Sequence, residues 1–165
     1  MSISASIVAD SINPKGKRLT TYILEYPRFV HAELMTHRMF SKNAASSRAI
    51  PIEKMIQSVI DNPAMPVWWG KNQSGMQANE ELSSDEIEEC KAVWFKARDS
   101  AIEYVRELLK LGLHKQISNR ILEPWFNIRI ICSATEYENF FALRAHKDAQ
   151  PEIQALAYKM LEEYN

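Results

Sequence analysis

Leu19-Thr20-Thr21-Tyr22-Ile23-Leu24-Glu25-Tyr26-Pro27 is the stretch that sets the architecture of this chain. Its β-branched and aromatic residues favour a strand. The closing proline then opens a helix, because its fixed φ suits a first turn and its missing N–H costs nothing there. Upstream, Ile3 to Ala9 reads as another strand, and Asn13-Pro14-Lys15-Gly16 between the two is a turn signal. The pair is therefore expected to form a hairpin.

Downstream, the helix opened by Pro27 carries Phe29, Val30, Ala32, Leu34 and Met35 and delivers His37 and Arg38 near its C-terminal end. Pro51 starts a helix that runs through Ile60 and stops at Asn62-Pro63. Residues 62–83 are loop-like and contain Trp68-Trp69, for which closure over a ligand and packing onto the core weigh equally. Ser84 is read as the cap of a long helix, with Asp85, Glu86, Glu88 and Glu89 at its positive end. Ile87, Cys90, Trp94, Ala97, Ala101, Val105 and Leu108 form one apolar stripe, either core or a seam between subunits, and Gly112 ends the helix. A short helix over Lys115 to Leu122 stops at Pro124, and Phe126 to Ala134 reads as a buried strand. Thr135 to Arg144 reads as a helix, and a last one begins at Pro151. The expectation is one α+β domain over residues 1–165, an antiparallel sheet packed with a long helix and several shorter helices.

Composition narrows the function classes. A chain of 165 residues with 46% hydrophobic and 25% charged residues is ordinary for a globular protein. A net charge of −1 gives no footprint for nucleic acid or a membrane surface. Met1-Ser2-Ile3-Ser4-Ala5-Ser6 lacks the basic and apolar regions of a secretory leader, and no apolar run is long enough to span a bilayer. A cytoplasmic protein acting on small molecules is expected. Cys90 and Cys132 make no disulfide framework, and neither has a His neighbour that would mark a metal site or a nucleophile. Cys132 reads as a small buried hydrophobe.

Against this background one segment is unusual. Thr36-His37-Arg38-Met39-Phe40-Ser41-Lys42-Asn43-Ala44-Ala45-Ser46-Ser47-Arg48 crowds cations and hydroxyls against the end of an apolar run. Guanidinium groups grip phosphate bidentately and serines complete such a cradle, so the segment reads as an anion site. Two further clusters share its character: Asn119-Arg120-Ile121-Leu122-Glu123-Pro124, and the run from Asn139 through Leu143-Arg144 to Ala149-Gln150-Pro151-Glu152-Ile153. Taken singly, each Arg is equally well a surface ion pair, His37 a helix-end partner, and Ser46 and Ser47 turn residues.

Together the three clusters resemble the flavin-dependent thymidylate synthases (the ThyX family). His37-Arg38, seven residues and then Ser46 resembles the family's Arg-His-Arg-x7-Ser signature, with Thr36 standing where the first Arg would be. Asn139 to Ile153 is similar to its near-C-terminal motif, and Arg120 to its Arg ahead of a Leu-Pro turn. The resemblance implies a ThyX-like fold and the conversion of dUMP to dTMP, with reduced FAD as hydride donor and methylenetetrahydrofolate and NADPH as co-substrates. It implies that Glu33, Ser46, Ser47, Arg48, Arg120 and Arg144 bind dUMP, with Arg144 catalytic through the negative charge it stabilises on the pyrimidine. His37, Arg38, Met39 and Asn139 would contact FAD, no metal is needed, and the assembly would be a homotetramer with active sites shared between subunits. The alternatives are a related pyrimidine nucleotide hydroxymethylase and a non-catalytic nucleotide-binding homologue.

Overall fold

The structure, a computed structural model, describes residues 3–165. In chain order its elements are β1 (Ser4–Ile12), β2 (Arg18–Pro27), α1 (His31–Met35), β3 (Ser41–Ala44), α2 (Ile52–Asp61), α3 (Ser84–Lys110), α4 (Lys115–Ser118), β4 (Asn127–Ala134), α5 (Glu138–Arg144) and α6 (Pro151–Tyr164). Short 3-10 segments at Arg28–Val30 and Asn119–Trp125 lead into α1 and out of α4. These elements make two compact units, one built on the chain up to Ala45 together with Asn127–Asn165, the other on Ser46–Phe126.

The first unit is an antiparallel sheet in the order β1-β2-β4-β3. In its central pair Tyr22 faces Cys132, Leu24 faces Ile130 and Tyr26 faces Ile128. All six are buried, whereas the intervening Arg129 and Ile131 are exposed, as the two-residue period of a strand requires. Phe140 and Phe141 of α5 and Ile153, Leu156, Ala157 and Met160 of α6 are buried in the same unit. The phenols inside this core are satisfied. Tyr22 donates to the Met160 carbonyl at 2.9 Å and Tyr137 to that of Thr20 at 3.1 Å. Burial pushes both phenols above the usual tyrosine range.

The hairpin is longer than expected, because backbone pairing of Asp10 with Thr20 and Ile12 with Arg18 carries β1 through exposed residues. β3 is an addition. Its polar Ser41-Lys42-Asn43-Ala44 shows no apolar alternation and becomes a strand by pairing with β4, Ser41 facing Ser133 and Ala44 facing Ile130. The helix expected from Thr135 starts only at Glu138.

In the second unit α2 buries Met55, Ile56 and Val59, and α3 buries Ala101, Ile102 and Val105. The cap of α3 is Ser83, one residue earlier than expected. Its side chain accepts from Glu86 N–H while Glu86 reaches back to the Ser83 backbone, a reciprocal capping box. The N-terminal half of the α3 stripe is only half-buried, and Ala97 is exposed. The expected helix over 115–122 tightens into 3-10 geometry from Asn119 onward, which accommodates Pro124. Loop 62–83 is pinned by Lys71 N–H to Glu80 O and Leu82 N–H to Trp69 O, around a close approach in which a Cβ on Gly70 would lie 2.1 Å from that of Ala78. Trp69 meets Trp94 edge-on at 6.5 Å, and Trp94 meets Trp125 at 5.9 Å. Trp69 thus packs, half-buried, against Trp94, while Trp68 is 40% exposed. Among the described residues no helix is long and apolar enough to cross a membrane.

Candidate functional site

In the first unit Glu33 of α1 and His37 just after it meet Arg144 of α5, which is more than a hundred positions along the chain. Arg144 Nε–H donates to His37 Nε2 at 3.0 Å, and Arg144 Nη1 lies 4.0 Å from Glu33 Oε2. Since Nε2 accepts, the neutral His37 ring carries its proton on Nδ1. The ring lies roughly parallel to Phe40, centroids 5.8 Å apart, and edge-on to Phe140 at 4.9 Å. Desolvation, then the positive charges of Arg144 and Lys42, hold the imidazole below the usual histidine range. A neutral His37 and a charged Arg144 are the consistent pair. With Nε committed, the terminal NH2 groups of the guanidinium are the ones left to reach a ligand.

His37 and Arg38 lie just past the end of α1 and not inside it. Arg38 is exposed, Met39 is 82% exposed and Asn139 is exposed on the first turn of α5. The Thr36 hydroxyl donates to the Glu33 carbonyl at 2.6 Å, so this side chain closes the helix end and offers no cation to a ligand. Cys132, buried in β4, has its thiol pushed up to about 11 by desolvation. Such a group is no nucleophile at neutral pH.

The second unit holds the other cluster. Ser47 is buried and its Oγ donates to Glu123 Oε1 at 2.7 Å, the same oxygen that Arg120 Nη1 approaches at 3.3 Å. Asn119 Nδ2 donates to the carbonyls of Ser47 and Ile50 at 2.6 and 3.0 Å, and Lys115 Nζ donates to that of Ala49 at 3.1 Å. The 46–50 turn is therefore tied down at three carbonyls; its Ser46 and Arg48 are exposed, and Arg120, joined to the turn through Glu123, is half-exposed. The second unit thus carries two solvent-accessible guanidinium groups and a hydroxyl, residue types suited to an anion.

Of the ten predicted residues, Glu33, His37, Arg38, Met39, Asn139 and Arg144 belong to the first unit, and Ser46, Ser47, Arg48 and Arg120 to the second. Four participants carry no sequence prediction: Phe40, Phe140, Lys42 and Glu123. The aromatic pair reads as core, and only the fold shows that the two rings, 5.2 Å apart, both pack against His37. Glu123 stands within the quoted Arg120 cluster, and its proximity to that Arg was the available signal. A surface depression of 440 Å³ lined by Lys15, Lys17, Arg18, Glu136 and Tyr164 lies at the hairpin turn and contains none of the predicted residues.

The α+β fold recurs in solved structures. Two solved structures of a Streptomyces cacaoi protein described as a UMP/dUMP methylase superpose on the chain. One, with 5-Br UMP, has a TM-score of 0.76 at 17% identity and covers 98% of this chain and 88% of that one. The other, with 5-Br dUMP, has a TM-score of 0.73 at 21% identity and covers 89% and 66%. Residues 17–165 match the sequence profile of the Thy1 family, described as thymidylate synthase complementing protein, and the chain belongs to that family. Relatives named flavin-dependent thymidylate synthase include one from Haloarcula marismortui, 24% identical over 96% of this chain and 74% of its own length. Another, from Saccharolobus solfataricus, is 31% identical over 87% of this chain and 48% of its own. The matched segment of the Pyrococcus abyssi relative is 38% identical and spans 42% of this chain and 30% of that protein.

Proposed function

We propose that this protein methylates dUMP at the pyrimidine ring, as a flavin-dependent thymidylate synthase using methylenetetrahydrofolate, FAD and NADPH. The observation that carries the reading is the Arg144–His37 contact in a chain of the Thy1 family. It turns one fully charged guanidinium into an oriented donor beside an aromatic wall. Negative charge that develops on a uracil ring during attack at C5 is best stabilised by such a preoriented cation. Glu33 Oε2, 4.0 Å from Nη1, biases the same guanidinium. Ser46, Arg48 and Arg120 take the phosphate, while Ser47, whose one O–H is donated to Glu123, holds the turn that presents them.

The residues assigned to FAD fit such a group: Arg38 offers an exposed cation, Met39 an exposed apolar chain and Asn139 an amide, next to His37. The chemistry that reduced FAD supplies when bound is hydride donation. The protein then has to bind, orient and exclude water. The assembly proposed is a homotetramer in the cytoplasm, in keeping with the half-buried stripe along α3.

The test is product analysis by mass spectrometry after incubation with dUMP, methylenetetrahydrofolate, FAD and NADPH. UMP runs in parallel, since the solved relative is described as acting on both nucleotides. Formation of dTMP supports the reading, and Arg144→Ala should lower turnover by at least about a hundredfold while dUMP still binds, the size expected for loss of one preorganised donor. No methylated product from either nucleotide in a flavin-loaded protein refutes it.

A further inference from the structure

Lys42 sits on β3 with its ammonium turned back over the end of α1. Nζ lies 2.5 Å from the His37 carbonyl oxygen and 3.4 and 3.5 Å from those of Leu34 and Met35. It also stands 5.7 Å from the centroid of the Phe40 ring. A helix of five residues, His31–Met35, leaves most of its carbonyls without intrahelical partners, and a cation at its C-terminal end satisfies them and opposes the dipole. An ammonium has three donors, which matches the three oxygens gathered here. The rest of the turn is held by the Thr36 hydroxyl and N–H on Glu33 O at 2.6 and 3.2 Å, and by the longer bonds of His37 N–H to Leu34 O at 3.2 Å and Phe40 N–H to His37 O at 3.3 Å.

Lys42 and Arg144 thus grip His37 at opposite ends, one at its main-chain oxygen and the other at Nε2. We infer that Lys42 is a positioning residue: its ammonium fixes the backbone at residue 37 so that the imidazole presents Nε2 to Arg144 and aims the guanidinium. This assignment rests on the reading of Arg144 as the pyrimidine contact. Lys42 itself touches no reacting atom. The charged groups facing His37 are Arg144 from α5 and Lys42 from β3, with Glu33 of α1 acting through Arg144. Removing the ammonium both loosens the turn and withdraws a positive charge from the ring.

The experiment is nitrogen NMR of the histidine rings in the full-length protein, as wild type, Lys42→Met, Lys42→Gln and Lys42→Arg, with dUMP turnover measured on the same samples. In the wild type, His37 is expected as a single Nδ1-protonated tautomer with a titration midpoint below that of an ordinary histidine. The Met and Gln variants should show mixed tautomers and a higher midpoint. Their kcat should fall about ten- to a hundredfold with KM for dUMP changed by less than about threefold, the scale expected for a small misplacement of a reacting group. Lys42→Arg should restore most of the kcat and the single tautomer.

A folded Met or Gln variant whose His37 spectrum and midpoint equal those of the wild type overturns the assignment. If neither variant folds, a wild-type His37 protonated on Nε2 or titrating at the ordinary value overturns it as well. A wild type that behaves as expected by NMR but does not methylate dUMP removes the proposed reaction and leaves the Lys42–His37–Arg144 arrangement standing.

Discussion

Cutting the tie between Glu123 and Ser47 tests how the second unit shapes its anion cluster. Glu123 Oε1 receives the Ser47 hydroxyl at 2.7 Å and the Arg120 guanidinium at 3.3 Å. Ser47 is only 8% exposed, so its hydrogen bond to a carboxylate falls in the class worth about 1.5–3 kcal/mol. The Arg120 side chain is 52% exposed, and its ion pair contributes at most about 1 kcal/mol. Glu123→Ala should therefore cost about 2–3 kcal/mol, and Ser47→Ala somewhat less. Because the same bond is lost in both, the double variant should cost less than their sum by about 1–2 kcal/mol. Glu123→Gln keeps an acceptor for Ser47 and should recover about half the loss. Urea unfolding followed by far-ultraviolet circular dichroism reads the wild type and all four variants, and dUMP titration reports whether the proposed phosphate cluster loosens with them. Independent sites add to within about 0.3–0.5 kcal/mol, so a coupling energy inside that margin refutes the reasoning.

Ser83→Ala should lower stability by about 1 kcal/mol, or about 2–4 °C in Tm for a chain of this size, whereas Ser84→Ala should stay within about 0.5 kcal/mol. Equal losses at the two serines would move the cap of α3 to another residue. His37 sets a pH dependence: its folded-state pKa lies below 6.5, so the unfolded chain binds its proton first as pH falls. Its contribution is complete above about pH 6.5, the ordinary histidine value, and is lost on acidification through the lower folded-state value. His37→Asn should flatten the stability profile in that window, and an unchanged slope would contradict the half-buried, neutral ring.

Much of this protein is legible in its sequence because its signals are local. Strand propensity over Leu19–Tyr26, the prolines at 27, 51 and 151 where helical turns begin, and the three- and four-residue spacing of α3 each act within a few residues. The motif residues could be named for the same reason. β3 could not be read, since a polar four-residue edge strand owes its form to the β4 backbone beside it. Lys42 and Glu123 escaped as well. A charged side chain in a sequence looks alike whether it faces water, a helix end or a buried hydroxyl.

Chain order by itself therefore determined the α+β class, the family signature and the list of cations available for an anionic substrate. Tertiary structure decided what each cation does. It placed Phe40 and Phe140 around His37, turned Arg144 Nε onto that ring, drew Lys42 to three helix-end carbonyls and folded Thr36 back onto Glu33. Desolvation and distance set those roles, and both depend on residues 100 positions away as strongly as on neighbours. The His37–Arg144 hydrogen bond, closed across a separation of 107 residues, is the clearest instance.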